Sequence, residues 1–229
     1  VSVVDAGAII LGASTVSGTY AVTATAGGGI TDSGVLAITN GATFTVAGGQ
    51  SIILDQSSTF SSTVAFASSG GGAIAAVEIT DSNALVLGAI TTTGNLTVTA
   101  GGAVTQSAAL VIGGTATISA SGYNVTLNEA TNNFQGAVGI TGAVVSVVDA
   151  GAIILGASTV SGTYAVTATA GGGITNSGVL AITQGATFTV VGGQSISLNQ
   201  SNTFSSTVAF AASDAGSGGT IAGVTINDS

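Results

Sequence analysis

The sequence predicts an all-β protein: a parallel β-helix (β-solenoid) with three short strands per coil and about 20–24 residues per coil. Three observations carry this reading. The first is a long internal repeat. Residues 1–66 return at 145–210, 144 positions on, and differ only at positions 32, 40, 47, 53, 55 and 58. The second is a composition rich in Val, Ile, Leu, Ala and Thr, with 37 Gly, no Pro and few strong helix formers, which favours strand. The third is a set of apolar peaks that fall into three columns, with steps of 20-odd residues.

The first column runs Val3, Ile30, Ile52, Ile79, Val104, Val125 and Val147. The second runs Ile10, Leu36, Phe60, Val86, Leu110, Phe134 and Ile154, and the third Val22, Val46, Phe66, Val98, Ile118, Ile140 and Val166. On this reading the 144-residue unit holds about six coils averaging about 24 residues, a spacing near 19 being the alternative. Residues 1–144 form a first repeat copy, with half-repeats at about 1–76 and 77–144, and 145–229 a partial second copy of the same continuous solenoid. The half-repeat shows where "ALVLGAITTTGNLTVTAGGAVTQSAALVI" (84–112) echoes "AIILGASTVSGTYAVTATAGGGITNSGVLAI" (152–182).

The differences between the copies test the strand assignment. Ile53 becomes Ser197 between the unchanged Ile52 and Leu54, so 52 and 54 face the core and 53 faces water. Ala47 becoming Val191 beside an unchanged Val46 fits the same alternation. The length change between 66–75 and 210–222 marks an exposed Gly/Ser loop. The pairs Gly48–Gly49, Gly101–Gly102 and Gly192–Gly193 sit at corners, where positive φ is expected. The Phe residues fall mostly in core columns. A membrane β-barrel would need longer alternating segments and aromatic girdles, and three Tyr with no Trp make none.

The chain has no Lys, Arg, His, Cys, Met or Trp, and nine acids give a formal charge of −9. Nucleic acid is excluded as a partner, because phosphate binding draws on Lys and Arg. No run of apolar residues is long enough for a membrane-spanning helix, so no membrane insertion is expected. There are no disulfides, no initiator Met and no basic leader. The sequence begins and ends inside a repeat, which suggests a section of a longer protein.

Catalysis is expected to be absent, with no catalytic, cofactor-binding or metal-ligating residue assigned and no cofactor. Without His, Lys or Cys, only the carboxylates could act, as in a glycosidase pair. Asp32 and Asp55 become Asn176 and Asn199 in the second copy, a change that keeps a turn and destroys an acid. Asp5, Asp81, Asp149 and Asp228 each close a V-x-[VI]-x-D phrase and read as turn residues. Spaced about three coils, or about 14 Å, apart, they cannot share one Ca²⁺, which needs six to eight oxygens. Glu78, Glu129 and Asp214 are lone charges on solvated faces. The pairs Thr23/Thr25, Thr43/Thr45, Thr97/Thr99, Thr115/Thr117, Thr167/Thr169 and Thr187/Thr189 resemble the threonine ladders of ice-binding solenoids but lapse for about fifty residues at a time, and Thr is a good strand residue. "TAGGGIT" and "TAGGAVT" are corner turns, not phosphate loops. Asn95, Asn124, Asn199 and Asn227 head glycosylation sequons.

Phrases such as "GNLTVTAGGAVTQSAALVIGGTATISASGYNVTLN" (94–128) and "VVDAGAIILGASTVSGTYAVTATAGGGIT" (3–31) resemble the repeats of filamentous haemagglutinin-type exoproteins. These are large bacterial surface adhesins, usually exported by two-partner secretion, whose shafts are right-handed β-helices. The Asn-Pro-Asn-Leu motif of their secretion domain has no counterpart in this proline-free stretch. The resemblance implies a right-handed β-helix with an extracellular, bacterial cell-surface, non-enzymatic role. The leading expectation is a structural shaft segment of a large adhesin or surface filament, giving reach and rigidity while other regions bind a host or surface ligand. The alternatives are a solenoid face that itself binds glycan, surface or ice, or a self-assembling filament subunit, with a carbohydrate-active enzyme third. End coils carry unpaired backbone groups and no Lys or Pro to blunt them. Their expected partners are therefore neighbouring coils of the same longer chain, or end-to-end copies in a filament.

Overall fold

Short runs of β-branched residues separated by Gly, Ser and Asn turns leave the backbone one economical solution, which is to stack each run on its counterpart in the next coil. The computed structural model describes residues 1–213 and 219–229, and Asp214 and part of the inserted loop lie outside the described residues. Among the described residues there is no helix. Every strand pairing is parallel. The fold is a parallel β-helix, and the antiparallel neighbours of a membrane barrel are not present among these strands.

One side of the solenoid is an eleven-stranded sheet. Its strands are Ser2–Asp5, Tyr20–Ala24, Ala42–Ala47, Thr63–Ser69, Leu85–Leu87, Val104–Gln106, Val125–Leu127, Val145–Asp149, Tyr164–Ala168, Ala186–Val191 and Val208–Ser213. Partners along it are 19 to 23 residues apart, as in Val3↔Val22, Phe44↔Phe66, Val86↔Thr63 and Val104↔Val125. Seven of these strands precede residue 145, so the 144-residue unit holds seven coils and not six. At about 4.8 Å per rung, its ten steps span about 48 Å.

The other two sides share a fifteen-stranded sheet and a three-stranded one, Ile90–Thr92, Leu110–Ile112 and Asn133–Phe134. They merge because the half-repeat is not a whole number of coils. Ser2–Asp5 lies on the eleven-stranded side, while its half-repeat counterpart Val77–Asp81 lies in the fifteen-stranded sheet. Ile30–Asp32 and its counterpart Val104–Gln106 make the reverse exchange. Two half-repeats share seven coils, so each is turned by half a coil relative to the last, and the full unit of two halves restores the original side.

That rotation corrects the three columns read from the sequence. Val3, Val104, Val125 and Val147 share the eleven-stranded sheet, whereas Ile30, Ile52 and Ile79 belong to the fifteen-stranded one. Ile10 and Ile154, placed in a core column, point outward, with Ile10 70 % exposed. Their neighbours Ile9, Leu11, Ile153 and Leu155 fill the core instead. Val86 is likewise an outward residue between the buried Leu85 and Leu87. In a run such as "AIIL" three successive apolar residues leave the inward pair undetermined until the register is known.

The alternation read from the copies holds at position 53: Ile52 and Leu54 are buried and Ile53 is half-buried, as are Ile196, Leu198 and Ser197 in turn. Val46 and Val190 are buried, but Val191 is nearly covered too. The interior also holds aromatic stacks. Phe44 lies on Phe66 with ring centroids 6.1 Å apart and meets Tyr20 and Phe60 edge-on, and Phe188 repeats this with Phe210, Tyr164 and Phe204. Gly49 and Gly193 have the positive φ expected of their corners. Gly101 and Gly102 do not. A Cβ on either would run into the backbone of 82–84 one coil away, so these glycines serve close coil contact.

Candidate functional site

Two arrangements of polar side chains stand out from this scaffold, one inside and one outside. The inner one begins with strand bulges. Between the paired positions Leu54 and Ser58, and again between Leu198 and Asn202, the chain takes extra residues to turn a corner. Each half-repeat then turns one polar residue inward to cap a backbone N–H in the adjacent coil. The Leu36 N–H donates to Ser58 Oγ at 3.0 Å, the Leu110 N–H to Asn132 Oδ1 at 2.9 Å, and the Leu180 N–H to Asn202 Oδ1 at 3.0 Å. Ser58, Asn132 and Asn202 are fully buried.

One coil further on, the aspartates that close the V-x-[VI]-x-D phrases at 81, 149 and 228 cap the Phe that stands two residues after Ser58, Asn132 and Asn202. The Phe60 N–H donates to Asp81 Oδ1 at 3.3 Å, the Phe134 N–H to Asp149 Oδ2 at 2.7 Å, and the Phe204 N–H to Asp228 Oδ1 at 2.9 Å. Asp81 and Asp149 also hold their own turns, accepting from the Asn83 and Gly151 N–H groups, as Asp5 does from Gly7. The turn role read from the sequence is therefore half of their work; the other half is a bond between coils that only the register makes visible. Burial pushes the Asp81 carboxyl up to about 6, and it raises Asp149 and Asp32 as well, against the backbone N–H groups that favour their charged forms.

Each stack is completed in the coil before. Gln106 and Asn132 pair amide to amide, with Nε2 donating to Oδ1 at 2.8 Å and Nδ2 to Oε1 at 3.0 Å. Asn176 Nδ2 donates to Asn202 Oδ1 at 2.8 Å. Asp32 occupies the corresponding place in the first copy, where its Oδ1 accepts from the Asp55 N–H at 3.0 Å. The corners are structural: backbone donors satisfied in a low-dielectric interior.

The outer arrangement is a run of hydroxyls. Thr80, Thr99, Ser119, Thr141 and Thr159 stand in register on successive rungs of the fifteen-stranded sheet, and Thr97 pairs with Thr117 beside them. The column then breaks at Ala181. Sequence pairs show only part of it, because Thr80, Thr141 and Thr159 stand outside any Thr-x-Thr motif. The other pairs belong to the eleven-stranded side, where Thr23 aligns with Thr45 and Thr167 with Thr189. Next to the hydroxyl run lies an open groove of about 420 Å³ lined by Thr115, Thr117, Gly139, Gly156, Ala157 and Ser177, among others. Small outward residues create it where the half-repeats meet.

No group of three or more acidic side chains gathers among the described residues. Asp55 is exposed, with its Oδ1 accepting from Gln56 Nε2, and Glu78 is half-buried on the strand below Thr97. Glu129 lies in the turn whose carbonyl accepts from the Asn132 N–H. The sequon residues Asn95, Asn124, Asn199 and Asn227 are exposed.

Comparison with protein families finds a match to repeats of unknown function (DUF5649), at residues 1–67, 74–141 and 141–211. The chain belongs to this family. The matched segments follow the half-repeats, so the family's unit is the block of coils that turns by half a coil. No curated protein and no solved structure matches the chain.

Proposed function

We propose that this DUF5649 chain is a shaft segment of a large extracellular adhesin or filament on a bacterial surface, holding a binding region at a distance and catalysing nothing itself. The observation that carries the reading is the uninterrupted eleven-stranded parallel sheet over an apolar interior, a design in which added repeats add length. The likeness of the sequence to filamentous haemagglutinin-type repeats supports the bacterial, extracellular setting. The acids support the absence of catalysis, since the buried ones hold backbone N–H groups between coils. Its partners are further coils of the same polypeptide or end-to-end copies, with ligands bound elsewhere, and neither nucleic acid nor membrane is engaged.

The test is to add or remove one 144-residue unit in the native surface protein. The reading predicts a change in projected length of about 34 Å, seven rungs at about 4.8 Å, with adhesion retained. Loss of adhesion at unchanged surface display would place binding in the repeat itself.

The hydroxyl run and its neighbouring groove favour a second reading, a face that binds glycan or ice. Glycan arrays and ice-shaping assays with this chain and a Thr99→Lys/Thr117→Lys variant decide it. Binding that disappears in the variant supports the second reading.

A further inference from the structure

Three of the six differences between the copies fall on one corner: Asp32/Asn176, Asp55/Asn199 and Ser58/Asn202. In the second copy the corner is closed by amides. Asn176 Nδ2 donates to Asn202 Oδ1 at 2.8 Å and to the Gly178 carbonyl at 3.1 Å, while its Oδ1 accepts from the Gln200 N–H at 3.5 Å. In the first copy Asp32 keeps the acceptor half of this pattern, through the Asp55 and Gln56 N–H groups at 3.0 and 3.4 Å. The donor half is missing. Asp32 is 8 % exposed, and its Oδ2 is buried with no hydrogen-bond partner.

We propose that the first-copy corner is a proton-binding site, in which a neutral Asp32 presents Oδ2–H as a donor in the role that Asn176 Nδ2 plays in the second copy. A carboxylic acid and a carboxamide have the same shape and the same split of one donor edge and one acceptor oxygen. The carbonyl corresponding to that of Gly178 is Gly34. An ionised Asp32 would leave a buried, unpaired anionic oxygen, which is costly. The surroundings offer nothing to offset that charge. Leu11 lies beside Asp32 in the preceding coil, Asp55 on the following coil adds a like charge, and Asp81 is the carboxyl of the coil after that. The chain has no Lys, Arg or His. Burial raises the Asp32 carboxyl above its usual range in keeping with this. A proton needs one acceptor, whereas Ca²⁺ would need six to eight oxygens. The consequence is a rod whose first copy tightens at position 32 as the medium becomes acidic, while Asn176 holds its donor in the second copy without taking up a proton.

The experiment compares the whole chain with its Asp32→Asn variant by denaturant unfolding at pH 3 and pH 7. The expected result is a higher midpoint for the variant at pH 7, with the two curves converging at pH 3, where both corners have their donor. A carboxyl ¹³C titration of the unmodified chain, with Asp32 assigned by its loss in the variant, is expected to place its midpoint above those of exposed acids such as Asp55. The proposal is overturned if the variant is less stable at pH 7, if the difference is the same at both pH values, or if Asp32 titrates with the exposed acids. It is equally overturned if CaCl₂ or NaCl stabilises the unmodified chain at pH 7 and leaves the variant unchanged, which would make the occupant a metal ion.

Discussion

The two copies are the same coils written twice, and their differences divide evenly between surface and corner. Positions 40 and 53 change on outward residues and position 47 on one that is half-buried as Ala47 and nearly covered as Val191, and each of these substitutions stands alone. Positions 32, 55 and 58 change together around one buried turn. A strand in a solenoid tolerates an outward change because only alternate residues meet the core. A corner does not, because its side chains bond to each other across coils: Asn202 in the second copy needs a donor facing its Oδ1, and Asn176 supplies it. Sheets fix how far the rod extends, and corners fix how tightly one coil sits on the next.

The aromatic stacks, built of the same residues in both copies around the fully buried Phe44 and Phe188, set the baseline for that contrast. Phe44→Ala and Phe188→Ala should each cost about 3–5 kcal/mol, and by the same amount, read as denaturation midpoints. Unequal losses would mean that the copies differ beyond their corners. Next in size, Asn202→Ala should cost about 1–3 kcal/mol, because it strips the Leu180 N–H and Asn176 at once. Ser58→Ala, which exposes only the Leu36 N–H, should cost less than Asn202→Ala. An equal cost would show that the amide pairing contributes nothing.

The pH dependence follows with the opposite sign to that of most proteins. Burial raises Asp81 to about 6 and raises Asp149 and Asp32. Between the ordinary carboxyl range and about 6, the folded chain therefore binds more protons than the unfolded one, and stability falls as pH rises. Unfolding midpoints should be higher at pH 4 than at pH 7, by on the order of 1 kcal/mol for Asp81. A chain that loses stability on acidification would contradict this. The smallest effect belongs to the surface: Ile53→Ser, which writes the second copy's residue into the first, should change stability by no more than about 0.5 kcal/mol.

The solenoid was legible in the sequence because its repeat is nearly perfect and its composition admits little but strand. Inside-outside alternation could be read at Ile52, Ile53 and Leu54, where a substitution marks the outer residue. It could not be read at Ile9, Ile10 and Leu11, where neither copy changes and all three are apolar. The columns failed for a geometric reason. A half-repeat that turns by half a coil places Val3 and Ile79, equivalent in sequence, on different sheets. The buried corners were invisible for the same reason. Asp32, Ser58 and Asp81 are polar residues more than twenty positions apart, and they become neighbours only once the coils are in register. The hydroxyl run from Thr80 to Thr159 shares that origin.

Parallel, in-register coils underlie the rod and its corners alike, and inter-residue distances from magnetic resonance on an isotopically labelled chain test them. Contacts are expected between residues 19 to 23 positions apart along the eleven-stranded side, such as Val3 with Val22, Phe44 with Phe66 and Phe188 with Phe210. Cross-strand contacts in which one residue number rises as its partner's falls, the signature of antiparallel hairpins, would contradict them.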